Sequence, residues 1–81
     1  MRVTVRLGEP YRRQAGVREI ELEMPGEATV ADLLAAIETR YEALLEGDVP
    51  PTVLLDDQIV DLAAPLRDGS EATLVWALSG G

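Results

Sequence analysis

The sequence contains no cysteine, no histidine and no lysine among its 81 residues. Without thiolate or imidazole side chains, the chain lacks the groups that build zinc sites and that drive Cys-His or Ser-His-Asp catalysis. Its seven glycines do not follow the spacing of a phosphate-binding loop or of a dinucleotide-binding fingerprint. We therefore expect a protein that is not an enzyme by itself and that binds neither a metal nor a cofactor.

Long apolar runs are absent as well. No stretch reaches the roughly 20 apolar residues that span a membrane, and residues 1–7 lack the basic and then apolar build of a secretory signal. The length predicts one small domain, which buries only about 60 to 65% of the surface of its unfolded chain and leaves no room for a deep catalytic cleft. We expect a cytoplasmic protein with no membrane partner.

Positive charge is scarce, because fifteen acidic residues stand against seven arginines and the net charge is −8. Nucleic acid is therefore not an expected partner, since phosphate binding depends on clustered positive charge. An acidic chain favours basic protein surfaces, where opposite potentials accelerate encounter and set orientation. The alternative is that the charge only keeps a small protein soluble.

Two segments near the N-terminus alternate between apolar and polar residues, residues 2–7 and 17–24. The alternation predicts two half-buried strands, joined as a hairpin by the loop 8–16. The outer face of this hairpin carries charges of both signs, at Arg2, Arg6, Glu19, Glu21 and Glu23. Opposite charges on neighbouring strands stabilise a sheet by about 0.2 to 1 kcal/mol per pair. The glutamate row fits either an edge strand protected against unwanted pairing or a docking surface.

A helix is predicted from residue 30 onward. Thr29 is suited to cap its start, and Asp32 lies near the positive end of the helix dipole. Apolar residues then recur at steps of three and four in one stripe: Val30, Leu33, Leu34, Ile37, Tyr41 and Leu44. Gly47 marks the predicted end. The far side carries glutamates at intervals of four, Glu38, Glu42 and Glu46, a row that is either an acidic contact surface or a solvated face.

The remaining chain predicts three strands, at 52–55, 59–61 and 72–78. Asp56 and Asp57 suit a turn better than a metal site, because no third acidic residue lies at a suitable spacing. In the turn 67–70, Gly69 can supply a positive φ. The element order predicts an α+β domain, with a mixed sheet of four to five strands and one main helix packed on one face. With the first and last strands side by side and a right-handed crossover, this is the β-grasp, or ubiquitin-like, architecture.

The sequence closes with Leu78, Ser79, Gly80 and Gly81. Glycine has no Cβ, so two consecutive glycines can enter a channel too narrow for side chains and leave the Gly81 carboxylate unhindered. Four extended residues reach roughly 13 Å. The segment is either a frayed terminus or an arm that delivers its carboxylate to another protein.

Val75 and Trp76, which precede this segment, bear on whether the end of the chain contacts another protein. Val75 is expected to face outward from the last strand, and Trp76 to lie near the end of that strand. Tryptophan is enriched in binding hot spots, so an exposed Trp76 beside a tail is suited to anchor a partner. The other interpretation is that Trp76 closes the end of the core.

Four stretches have the order and spacing of a known family: residues 13–23, 28–34, 65–71 and 79–81. The first reads Arg-Gln-Ala-Gly-Val-Arg-Glu-Ile-Glu-Leu-Glu, and the last reads Ser-Gly-Gly. Together they resemble the MoaD/ThiS family of ubiquitin-like sulfur carriers over nearly the whole chain, and in particular MoaD, the small subunit of molybdopterin synthase. The resemblance implies a β-grasp domain over residues 1–78 and a flexible Gly-Gly tail over residues 79–81.

The resemblance also implies a chemistry for the tail. A MoeB/ThiF-like enzyme would use ATP to adenylate Gly81, and a sulfur-donating protein would convert it to a thiocarboxylate. A MoaE-like large subunit would receive the tail and build the dithiolene of molybdopterin. In this role Leu78, Ser79 and Gly80 thread into the partner, and Val75 and Trp76 contact its surface.

Other functions remain open at this stage. The sulfur acceptor could be thiazole, cysteine or tRNA instead of molybdopterin. A ubiquitin-like modifier would join Gly81 to lysines of target proteins. A pure interaction module would leave the tail idle, and a bulkier residue in place of Gly81 would then have no consequence.

Overall fold

Five strands and two helices follow one another in the computed structural model, which describes residues 1–45 and 50–76. The elements are β1 (Arg2–Leu7), α1 (Tyr11–Ala15), β2 (Glu19–Glu23), α2 (Val30–Arg40), β3 (Thr52–Leu55), β4 (Gln58–Val60) and β5 (Glu71–Val75). The strands form one sheet in the order β2-β1-β5-β3-β4. The central strands β1 and β5 are parallel, and the other neighbouring pairs are antiparallel. This topology confirms the predicted β-grasp fold.

The main helix α2 begins where the sequence predicts. Thr29 and Asp32 form a capping box, in which the Asp32 carboxylate accepts from the Thr29 backbone N–H at 2.9 Å. The helix buries its inner residues in one core cluster together with the inward side chains of the sheet. The largest fully buried side chains are Leu33, Ile37, Leu74, Val3, Val5 and Val30. Burial of each such side chain contributes about 1.5 to 3 kcal/mol, so the alternation of the strands and the stripe of the helix determine the core together.

The C-terminal end of α2 differs from the prediction. The helix ends at Arg40 and not near Gly47, with Tyr41 as the C-cap. Ala43 has a φ of 68°, which takes the chain out of the helical path. Leu44 is nevertheless 5% exposed, because the turn returns it to the core. Glu42 therefore does not extend a glutamate row along the helix, and both Gly47 and Glu46 lie outside the described residues.

A second difference lies in the loop predicted for residues 8–16. Tyr11–Ala15 forms the short helix α1, whose Tyr11 side chain is buried. Gly16 ends α1 in the left-handed region with a φ of 79° and donates its N–H to the Arg12 carbonyl oxygen. Five residues are too few to show a helical repeat of apolar side chains, so the sequence carried no periodic signal for this helix. Other predicted strand boundaries shift by one or two residues, except that β5 ends at Val75 instead of residue 78, and residues 77 and 78 lie outside the described residues.

The predicted cross-strand charge pairs are present on the outer face of the sheet. Arg2 lies 3.2 Å from Glu23, and Arg6 lies 3.8 Å from Glu19 and 3.4 Å from Glu71. All five side chains are more than half exposed, so each pair contributes at most about 1 kcal/mol. Because β2 is an edge strand, its glutamates are placed to discourage pairing with another chain.

Candidate functional site

The candidate site lies where the two central strands end. β1 and β5 are parallel, and Leu7 lies opposite Leu74, so both strands finish at the same end of the sheet. Residues 77–81 follow in the sequence directly after β5 and Trp76. The residues around this end of the sheet are therefore the described residues that bear on the proposed role of the tail.

A glycine brings the neighbouring loop close to the end of β5. Gly8 donates its N–H to the Leu74 carbonyl oxygen at 2.8 Å. A Cβ at Gly8 would lie 3.0 Å from that oxygen and 3.4 Å from Val75 Cγ1, a spacing too tight for any larger residue without movement. The Gly8 carbonyl in turn accepts from the Arg12 N–H at 3.0 Å, which attaches α1 to the same end of the sheet.

Val75 and Trp76 stand at this end as expected. Val75 pairs with Thr52 across β5 and β3 and is half-buried, on the face of the sheet opposite α2. Trp76 follows the last residue of β5 and is 56% exposed. A side chain this accessible does not close the core, so the structure leaves its apolar surface available for a partner.

The outer face of the sheet has two chemically different halves. The charge pairs lie on β2 and β1 and reach Glu71 at the start of β5, whereas the rest of the β5–β3–β4 half carries threonines and apolar side chains. On the apolar half, Leu54 lies opposite Thr73 on one side and Ile59 on the other, and Ile59 is 66% exposed. Sequence reasoning missed Leu54 and Ile59 as surface residues, although apolar residues at consecutive positions in such short strands already indicate that both faces carry them.

The polar groups near this end of the sheet offer no catalytic arrangement in the part of the chain that is described. No group of three or more His, Cys, Asp or Glu side chains is placed to hold a metal ion among residues 1–45 and 50–76. Asp56 and Asp57 form the predicted turn at the opposite end of the sheet, where the Asp56 carboxylate accepts from the Glu71 N–H, at the start of β5, at 3.1 Å. Burial raises the pKa of the Tyr11 phenol above its ordinary value of 10.0, so this group is neutral at pH 7 and supplies no charge.

The four tail residues Leu78, Ser79, Gly80 and Gly81 lie outside the described residues. Their threading and reactive roles therefore stay predictions, as does the division between a domain at 1–78 and a tail at 79–81. Within the described segments, no helix has the length and apolar character to cross a membrane.

The sheet order, the parallel central pair and the helix across one face define a ubiquitin-like β-grasp protein. The chain belongs to the ThiS family, whose model matches residues 5–81. Members of this family are small ubiquitin-like sulfur carriers. The resemblance inferred from the sequence is thus confirmed at the level of the family. A comparison with curated proteins found no match.

Solved structures are similar over the full length of the domain. SAMP1, a small archaeal modifier protein of Haloferax volcanii, has 26% identity and a TM-score of 0.85, with 100% of both chains covered. A putative molybdopterin-converting factor subunit 1 of Pyrococcus furiosus has 28% identity and a TM-score of 0.82, covering 91% of this chain and 94% of that one. A Helicobacter pylori complex of subunits 1 and 2 of molybdopterin-converting factor contains a chain with 28% identity and a TM-score of 0.67, with 100% of both chains covered.

Proposed function

We propose that this protein is the sulfur-carrying small subunit of a molybdopterin synthase. The observation that carries the proposal is the family match, which continues to Gly81 and so includes the Ser-Gly-Gly end together with the domain. The likeness to the Pyrococcus and Helicobacter molybdopterin-converting factor subunits favours molybdopterin as the product that receives the sulfur.

The proposed chemistry takes place at the Gly81 carboxylate. One carboxylate oxygen attacks the α-phosphorus of ATP, pyrophosphate leaves, and the product is an acyl adenylate. Sulfide delivered by a sulfur-donating protein then attacks the acyl carbon and displaces AMP, so that sulfur replaces one oxygen and the thiocarboxylate is formed. Activation is needed because a free carboxylate is a poor acceptor, and the absence of side chains on Gly80 and Gly81 allows close approach of the other reactants.

In this proposal the folded domain positions the tail and supplies no catalytic groups. ATP binds to the MoeB/ThiF-like adenylating enzyme, and a MoaE-like large subunit receives the thiocarboxylate tail, with both steps placed in the cytoplasm. Val75 and the exposed Trp76 are the proposed contacts with these proteins, and Leu78, Ser79 and Gly80 are the proposed threading residues. The rigid attachment of β5 between β1 and β3 supports this role, because a fixed base limits the orientations that the tail must sample before binding.

Reconstitution tests the proposal directly. The chain is incubated with the MoeB/ThiF-like enzyme of the same organism, ATP and a sulfur source, and its intact mass is measured. We expect a mass increase equal to one oxygen replaced by sulfur, and molybdopterin formation after a MoaE-like subunit and precursor are added. Deletion of Gly81 should abolish both signals and leave the thermal unfolding midpoint unchanged. Full activity of the truncated chain would refute the proposal.

A second candidate function is protein modification, favoured by the similarity to the archaeal modifier SAMP1. In that case Gly81 forms an isopeptide bond with lysines of target proteins. Digests of cell extract with a protease that leaves a Gly-Gly remnant would then contain modified peptides that depend on this gene.

Sulfur transfer to thiazole, cysteine or tRNA is separated from the leading proposal by copurification, because only the molybdopterin role requires a stable complex with a MoaE-like subunit.

A further inference from the structure

We propose that Arg12, Arg13 and Arg18, here called the arginine cluster, form an electrostatic docking surface for an acidic rim around the tail-binding channel of the adenylating enzyme. The inference rests on the proposed function, because it concerns the enzyme that activates Gly81. It assigns to α1 and to the loop after it a role that neither the fold nor the chemistry of the tail requires.

Backbone hydrogen bonds place the cluster beside the end of β5. The Arg18 carbonyl accepts from the Leu7 N–H at 2.9 Å, and Leu7 lies opposite Leu74 in the sheet. The Arg12 N–H donates to the Gly8 carbonyl oxygen, and the Gly8 N–H donates to the Leu74 carbonyl oxygen. Arg12 and Arg18 are thus attached, from two sides, to the end of β1 that adjoins the end of β5.

The charge of this end contrasts with the rest of the chain. Residues 9–18 contain three of the seven arginines but only one of the fifteen acidic residues, Glu9. The remaining chain therefore carries all of the net negative charge. A protein that is negatively charged except at one positively charged end is oriented by the electrostatic field of a charged partner. β5 ends on the positive end, so an acidic rim would attract that end and repel the remainder.

The cluster is accessible and already binds one carboxylate. Arg12 Nη2 lies 2.6 Å from Glu9 Oε1, and Arg13 Nη2 lies 3.4 Å from Glu9 Oε2. The side chains of Arg12 and Arg13 are 45% and 82% exposed, so each guanidinium retains free donors. Arg18 is exposed and forms no ion pair with the described segments of the chain.

Most other arginines are engaged within the fold. Arg2 and Arg6 pair with glutamates across the strands, and Arg40 donates to the Glu21 carbonyl oxygen while it lies over the Tyr41 ring. Guanidinium groups bind carboxylates through charge-assisted hydrogen bonds. Within the molecule, the two oxygens of the Glu9 carboxylate are paired with one guanidinium nitrogen each, from Arg12 and from Arg13. A protein surface that presents aspartates and glutamates therefore has the chemistry that fits the cluster.

The test compares charge reversal at the two ends of the same parallel strands. The first variant is Arg13→Glu with Arg18→Glu, beside the end of β5. The matched control is Arg2→Glu with Arg67→Glu, beside the start of β1 and β5, which changes the net charge equally. A third variant, Arg13→Lys with Arg18→Lys, keeps the positive charge. ATP–pyrophosphate exchange by the MoeB/ThiF-like enzyme is measured against carrier concentration, and urea unfolding confirms that each variant is folded.

We expect kcat/KM for the carrier to fall about tenfold in the first variant at low ionic strength, because steering by opposite charges acts on encounter. The control and the lysine variant should stay within about twofold of the wild type. The difference should shrink at about 1 M salt, where the screening length is roughly 3 Å. If the first variant does not fold, Arg13→Gln with Arg18→Gln should show a smaller but equally selective loss.

Four results would count against the inference, and each has a different meaning. An equal loss in the first variant and the control would mean that only the net charge matters. A raised KM for ATP with an unchanged KM for the carrier would mean that the arginines contact the nucleotide and not an acidic protein surface. Exchange that fails with the wild-type chain would reject the proposed function itself, whereas normal exchange with all variants would reject the docking surface alone.

Discussion

Gly8 donates its backbone N–H to the Leu74 carbonyl oxygen at 2.8 Å and thereby ties the loop after β1 to the end of β5. This one contact brings together the residues for which we propose a functional role. It places α1 and the arginine cluster beside the end of β5, where Val75 and Trp76 lie. The predictions below test this arrangement and the fold that supports it.

Replacement of Gly8 by alanine should destabilise the protein by roughly 1 to 3 kcal/mol, because the new Cβ would lie 3.0 Å from the Leu74 carbonyl oxygen. The measurement is the free energy of unfolding in urea. Gly26→Ala is the matched control, since no atom lies within 4 Å of its Cβ position. The control should be neutral or stabilising by up to about 1 kcal/mol. Equal effects of the two substitutions would contradict the close approach at Gly8.

The turn between β3 and β4 contains two aspartates with positive φ, 49° at Asp56 and 70° at Asp57. Asp57→Gly should stabilise the protein by up to about 1 kcal/mol, because glycine adopts this region without steric strain. Asp56→Gly relieves the same strain but loses the hydrogen bond that Asp56 accepts from the Glu71 N–H. The thermal unfolding midpoint of Asp57→Gly should therefore be higher than that of Asp56→Gly. The reverse order would show that the hydrogen bond of the Asp56 side chain does not stabilise the folded state.

Stability should decrease at alkaline pH through Tyr11. Burial raises the pKa of its phenol above the ordinary value of 10.0, so the folded state holds this proton more tightly than the unfolded state. The corresponding stabilisation is complete below pH 10 and is lost as the pH rises toward the folded-state pKa. Urea unfolding at increasing pH should show a smaller loss in Tyr11→Phe than in the wild type. Tyr41→Phe, which keeps Tyr11, should retain the loss; identical profiles for all three chains would exclude Tyr11 as the cause.

Trp76→Ala should weaken the complex with a MoaE-like or MoeB/ThiF-like partner by about 2 kcal/mol, the size of effect typical of a tryptophan hot spot. The thermal midpoint should hardly change, because Trp76 is 56% exposed. Leu62→Ala is a suitable control, since Leu62 is 52% exposed and its carbonyl accepts from Ala31 at the other end of the fold. Calorimetric titration of each variant measures the difference. Equal affinities would remove Trp76 from the proposed interface.

Much of the fold could be predicted because its signals are local. The alternation in residues 2–7, the capping pair Thr29 and Asp32, and the positive φ at Gly69 each depend on residues close in sequence, and the structure has all three. The cross-strand charge pairs were equally predictable, because the side-chain period of two fixes which residues share a face. The same patterns could not locate the end of α2, since the apolar stripe continues through Tyr41 and Leu44 after the helix has ended.

The sequence by itself determined the fold class, the family and the Gly-Gly end, because strand alternation, helix capping and residue order are properties of the chain alone. Only the tertiary structure decided that α1 exists, that Trp76 is exposed and that the arginine cluster lies beside the end of β5. These features depend on contacts between residues far apart in the sequence, such as Gly8 with Leu74. No pattern within a short window contains such a contact, because its free energy appears only when β1 and β5 pair.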